Sequence, residues 1–155
     1  MKIFAVCRGS AESLPGKSYK TGIFKHAVSG GVMIDAEGLI GDAICNRKHH
    51  GGVDQAVYLE GSISLDWWAK EFGHPVEPGT FGENLVIEDV DNRQVAVGDR
   101  FIAGELILEV TSCRIPCATF AARARGFLKS RRAVRIANRV SAGTMAGAAV
   151  TIAMR

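Results

Sequence analysis

Phe101-Ile102-Ala103-Gly104-Glu105-Leu106-Ile107-Leu108-Glu109-Val110-Thr111-Ser112-Cys113-Arg114-Ile115-Pro116-Cys117 is the stretch on which the fold reading turns. Ala103-Gly104-Glu105 separates Phe101-Ile102 from the aliphatic run Leu106–Thr111, which predicts a hairpin. Pro116 has no N–H for a ladder, so the second strand must end before it and Cys117 falls at a strand-to-helix junction. Outward from the hairpin, strand-length runs recur at Ile3–Cys7, Gln55–Leu59, Leu85–Ile87 and Val150–Met154, with weaker ones at Gly31–Ile34 and Gln94–Val97. Glycine turns such as Ser29-Gly30-Gly31 and His50-Gly51-Gly52 separate them. Ser62 can cap a helix through Phe72, with Leu65, Trp68, Ala69 and Phe72 on one face and Gly73 as the stop. A second helix is predicted from Thr119 to about Arg132. Many short strands, few helices and no regular βαβ alternation predict a mainly β, barrel-like or sandwich fold forming a single domain over residues 1–155.

A length of 155 residues with 47% hydrophobic and 23% charged residues is ordinary for a globular domain and excludes disordered and fibrous classes. The net charge of +3 conceals an asymmetry. Residues 1–109 hold ten Lys/Arg against sixteen Asp/Glu, whereas residues 110–155 hold nine Lys/Arg and no acid. An acidic body with a basic last third points to an anionic partner: nucleic acid, membrane lipid or a phosphorylated small molecule. The longest uncharged run, Val140–Met154, is too short and too polar to span a membrane, and Arg8 interrupts the N-terminal apolar run. The expected location is the cytoplasm, where Cys7, Cys45, Cys113 and Cys117 would be thiols.

Cys117 is the cysteine whose context points to chemistry. A helix starting just after it, with Arg114 nearby, favours a thiolate, the form that attacks and ligates. Cys7, Cys45 and Cys113 read as buried, inert cysteines. A zinc site from Cys113, Cys117, His49 and His50 does not match the usual ligand spacings. Arg47-Lys48-His49-His50-Gly51-Gly52-Val53-Asp54-Gln55 reads either as an anion nest with fixed positive charge or as a solvated basic turn. His50 is the candidate proton donor. Asn84, after Gly82, offers a donor and an acceptor to a heterocycle or phosphate. The arginines from Arg123 to Arg139 could bind nucleic acid, but no stacking array or recognition helix accompanies them, and a solvated helix face explains them as well.

Taken in order, Gly22-Ile23-Phe24-Lys25, Gly38-Leu39-Ile40-Gly41-Asp42, Lys48 to Val57, Phe81-Gly82-Glu83-Asn84-Leu85, Val97-Gly98-Asp99 and Arg114-Ile115-Pro116-Cys117 resemble the MOSC domain. That family is named for the C-terminal domain of molybdenum cofactor sulfurases, and the resemblance is to its small bacterial stand-alone members, over roughly residues 1–140. It implies a barrel-like β fold and molybdenum or pyridoxal phosphate binding. It also implies reduction of N-hydroxylated compounds or, alternatively, delivery of persulfide sulfur. By position, Cys117 would ligate molybdenum or carry the persulfide. Lys25, Asn84 and Arg114 would contact the pterin and phosphate of the molybdenum cofactor (molybdopterin), with Arg47, His49, His50, Gly51 and Gly52 at the cleft. The implied partners are the small anionic pterin and a separate electron donor or cysteine desulfurase, rather than nucleic acid or a membrane.

Overall fold

The hairpin that the sequence announces is the edge of a seven-stranded sheet. In the computed structural model, which describes residues 1–114, 117–127 and 150–154, β9 (Arg100–Ala103) pairs antiparallel with β10 (Leu106–Cys113) around Gly104-Glu105. Inward from them lie β11 (Val150–Met154), β7 (Val57–Gly61), β8 (Leu85–Ile87), β1 (Ile3–Arg8) and, at the other edge, β4 (His26–Ala27). Two short ribbons, β2 (Glu12–Ser13) with β3 (Lys20–Thr21) and β5 (Ile34–Asp35) with β6 (Gly38–Leu39), stand outside this sheet. β7 and β8 run parallel, and α1 (Ser62–Phe72) lies between them in sequence. α2 (Ala118–Phe127) follows β10.

β7 and β8 are buried on both faces, so they carry no polar stripe. Side chains alternate across a strand. Val57 and Leu59 of β7 join Leu85, Ile87, Leu108 and Val110 in one cluster, while Tyr58 and Val86 point into a second with Leu65, Trp68 and Phe81. Aromatic contacts at 5.4 Å (Trp68–Phe81) and 5.6 Å (Phe81–Phe120) tie α1 and α2 to that second face.

Four sequence expectations are corrected. The sheet is open: among the described residues nothing pairs β4 with β9. Closure requires tilted, staggered strands all the way round, and β4 contributes only two paired residues, Ala27 and His26. Gln94–Val97 forms no strand; a 3-10 turn at Asn92–Gln94 occupies its start, with the Asp91 side chain accepting from Arg93 N–H at 3.0 Å. Gln55 likewise ends a 3-10 turn, Val53–Gln55, so β7 begins only at Val57. Gly61, not Ser62, is the N-cap of α1; the Ser62 hydroxyl instead accepts from Asp89 N–H at 2.9 Å. Gly73 does end the helix, in the left-handed region at φ 74°. Pro116 and the stretch from residue 128 to 132 expected to continue α2 lie outside the described residues.

Candidate functional site

A cavity of about 1080 Å³ opens beside β7, β8 and the end of β10. An irregularity in β10 aims one of its walls. Val110 is opposite Ile152 and Ser112 opposite Thr151, so two steps of β10 face one step of β11. Such a bulge reverses which side the following side chains face. Ser112 therefore turns away from the Val110 cluster. Tyr58 is also opposite Thr151, from the other flank of β11, which puts Ser112 and Tyr58 on the same side of the sheet. Arg114 keeps that side, and its guanidinium carbon lies 4.4 Å from the Tyr58 ring centroid.

Cys117 stands at the entrance to α2. Its Sγ accepts from Phe120 N–H at 3.4 Å, satisfying a donor that a helix start leaves unpaired, while its carbonyl accepts the first regular bond of the helix from Ala121 N–H at 2.9 Å. The strand-to-helix junction read from the sequence is present, and the half-buried thiol lines the cavity.

A buried polar network forms the opposite wall. Lys25 pairs with Asp42, and the side chains of both are more than nine-tenths buried. Burial holds the Lys25 ammonium below its usual pKa, with Asp42 acting in the other direction. Asp42 also accepts from Gly9 N–H at 3.0 Å and from Asn84 Nδ2 at 2.8 Å. The Asn84 carbonyl accepts from Tyr58 N–H at 3.2 Å, and its Nδ2 reaches the Cys7 carbonyl at 3.4 Å. Asn84 is thus engaged at both ends of its amide and braces β1, β7 and Asp42. Gly22 lets this wall close: a Cβ there would sit 1.8 Å from the Ala43 carbonyl oxygen. Glu83 supports the turn before Asn84, accepting from Gly79 N–H at 2.6 Å and Phe81 N–H at 2.9 Å.

Of the residues singled out in the sequence, Lys25, His49, His50, Gly51, Asn84, Arg114 and Cys117 line this one cavity. Arg47 and Gly52 do not. Arg47 is exposed and paired with Glu37, because the Asn46 carbonyl accepts from both His49 and His50 N–H and closes a turn after it. Gly52 leads into the 3-10 turn at Val53. Burial first, and Arg114 second, hold the His50 pKa below its ordinary value, so the imidazole is neutral at pH 7.

Sequence reasoning missed Asp42 as the hub of the network and Tyr58 as the platform under Arg114. Asp42 is partnered by residues far along the chain, and Tyr58 reads as ordinary strand core. The cysteines divide differently from the expectation. Cys7 is the inert one, fully buried with its thiol pushed up to about 12 by burial. Cys45 and Cys113 are exposed and line the cavity with Cys117, since the Ala43–Asn46 loop and the end of β10 form its rim. Arg123 is not a free basic side chain: it donates to the Thr80 carbonyl at 2.6 Å and packs 4.6 Å from the Phe24 ring centroid, docking α2. The segment from Lys129 to Arg139 lies outside the described residues. Among the described residues no group of three or more His, Cys, Asp or Glu is placed to hold a metal ion, and no helix is long and apolar enough to cross a membrane.

A mixed sheet, a cavity lined by Lys25 and Arg114, and a thiol at the start of the following helix define the class: a mainly β domain with one polar cleft. Comparison with known proteins gives the family: the MOSC domain profile matches residues 46–152, and the chain belongs to that family. It is 32% identical over 106 residues to the uncharacterized protein YflK of Bacillus subtilis, covering 68% of this chain and 48% of that protein. It is 30% identical over 126 residues to a protein named Reductase of Gibberella moniliformis, covering 77% of this chain and 22% of that protein. The chain thus spans half or less of the length of these relatives. The crystal structure of YiiM from Geobacillus stearothermophilus superposes with a TM-score of 0.68 at 19% identity, over 99% of this chain and 67% of that one, a likeness of fold.

Proposed function

We propose that the cavity binds the molybdenum cofactor and that the domain is an oxidoreductase component reducing N-hydroxylated compounds. The observation that supports this most is that one cavity is lined by both the Cys117 thiol and Arg114, a cation that no carboxylate neutralises among the described residues. The donor set fits the group. A thiolate is a soft ligand suited to such a metal, and planar guanidinium is suited to phosphate. The volume, about 1080 Å³, lies just above the usual range of small-ligand sites, roughly 300–1,000 Å³. Bound there, the cofactor would supply two-electron redox chemistry.

The chain's own residues have separate tasks in this reading. Cys117 would ligate the metal, and Arg114 with Lys20 would take the phosphate, since Lys25 is held by Asp42. Neutral His50 offers a ring N–H to an oxygen of the ligand or substrate; an approaching anion would raise its pKa, so that it takes up a proton from solvent that it can then pass to the substrate. Electrons come from a separate donor. The Gibberella relative's name agrees with reductive chemistry. Elemental analysis of protein made in cells with intact cofactor synthesis tests this. The expected result is about one molybdenum per chain in the parent protein, lost in Cys117→Ser and reduced in Arg114→Ala. A parent protein free of molybdenum overturns it.

The three thiols lining the cavity favour a second reading, a sulfur carrier charged at Cys117 by a cysteine desulfurase. Its mark is a mass gain of about 32 Da, one sulfur, on the Cys117 peptide. No gain after incubation with the desulfurase and cysteine rules it out.

A further inference from the structure

Arg114 follows β10 directly, and its side chain rests on an aromatic ring rather than on a counter-ion among the described residues. Its guanidinium carbon is 4.4 Å from the Tyr58 centroid, within the range of a cation–π contact. The platform is rigid. Tyr58 is 6% exposed in β7. Its N–H donates to Asn84 Oδ1 at 3.2 Å, and its carbonyl accepts from Asn84 N–H at 2.8 Å, with the Glu60 carboxyl on the same strand two residues on. Glu60 is in turn anchored by Asn92 Nδ2 at 2.6 Å. Two strands away, the β10 bulge delivers Arg114 to the exposed side of that ring.

We infer that Tyr58 is a positioning residue for anion binding: its ring holds the Arg114 guanidinium in the cavity, oriented toward an incoming phosphate. An arginine tied to a carboxylate would have its fork occupied, whereas one stacked on a ring keeps its N–H edges free for a bidentate oxyanion. An unsupported arginine would lose rotamer freedom on binding, a cost that the ring removes in advance. This rests on the anion-binding reading above and adds the residue through which Arg114 acts.

The test is a double-mutant cycle read by calorimetric titration with inorganic phosphate. Arg114→Ala weakens binding about tenfold. Tyr58→Leu weakens it about three- to tenfold, whereas Tyr58→Phe, which retains the ring, stays within about twofold. In the Arg114→Ala background, Tyr58→Leu has no further effect, because the ring acts only through the arginine. Arg114→Lys, on a residue at the cavity surface, repeats the Tyr58→Leu loss without touching the core, since a lysine retains the charge but not the planar stack. If Arg114→Ala weakens binding while Tyr58→Leu and Arg114→Lys do not, the positioning role is wrong and the anion site stands. An additive cycle also overturns it, placing the effect of Tyr58 elsewhere in the fold. If Arg114→Ala leaves phosphate binding intact, the anion site and the inference fall together.

Discussion

Removing the Asp42 carboxylate is the most exacting perturbation of the cavity wall. In Asp42→Ala, the Lys25 ammonium, with its side chain 6% exposed, loses its counter-ion. Gly9 N–H and Asn84 Nδ2 lose their acceptor at the same time. Breaking a buried pair from one side costs about 3–5 kcal/mol, because the remaining charge is left uncompensated. For a chain of this size that corresponds to a melting temperature lower by about 6–20 °C. Asp42→Asn retains an acceptor for Gly9 N–H and isolates the charge effect. The pH dependence then has a definite sign. The folded-state pKa of Lys25 is already depressed by burial, and Asp42 is what raises it. Without Asp42 it falls further, so the unfolded chain binds more protons than the folded one over a wider interval below the unfolded-state value near 10.5. Across that interval stability rises with pH, by up to about 1.4 kcal/mol per unit. Urea unfolding of the parent, Asp42→Asn and Asp42→Ala from pH 6 to 9.5 measures this. The variants should start lower and gain on the parent as pH rises. Parallel curves, or a loss under about 1 kcal/mol in Asp42→Ala, would refute the reasoning that the network is a desolvated ion pair.

Three further outcomes follow from the same geometry. Iodoacetamide on the folded protein should label Cys45, Cys113 and Cys117 and spare Cys7, which peptide mass mapping would check; a labelled Cys7 at native pH contradicts its burial and raised pKa. Gly22→Ala should destabilise by about 1–3 kcal/mol in chemical denaturation, because the new methyl meets the Ala43 carbonyl, and an unchanged midpoint would show that the wall yields freely. In Arg114→Ala, one of the two causes depressing His50 is gone, so its titration midpoint by NMR should move up toward 6.5; a fixed midpoint would mean that burial alone sets it.

Local signals carried far. Leu85–Ile87, Val150–Met154 and the 101–106 hairpin were legible because strand propensity, turn glycines and hydrophobic runs are properties of neighbouring residues. The boundaries of α1 were legible from its apolar face and from Gly73, but its cap was not: Ser62 is used by Asp89, a partner outside any local window. The Cys117 junction could be read because proline ends a ladder wherever it occurs, and motif order was enough to bring seven candidate residues to one cavity. Arg47 failed because a single turn at Asn46 decides which of four adjacent polar residues face inward.

The sequence by itself determined the β-rich class, the family, the acidic body with its basic end, and the thiol placed where a helix begins. These depend on composition, on spacing and on the covalent properties of glycine and proline. Only the tertiary structure decided that the sheet is open among the described residues, that Asp42 binds Lys25 and Asn84, that three thiols share a rim, and that Arg114 rests on Tyr58. Each of these depends on register between strands distant in sequence. A one-residue bulge in β10 reverses which face its side chains take, and an ion pair forms only where burial removes water from both partners.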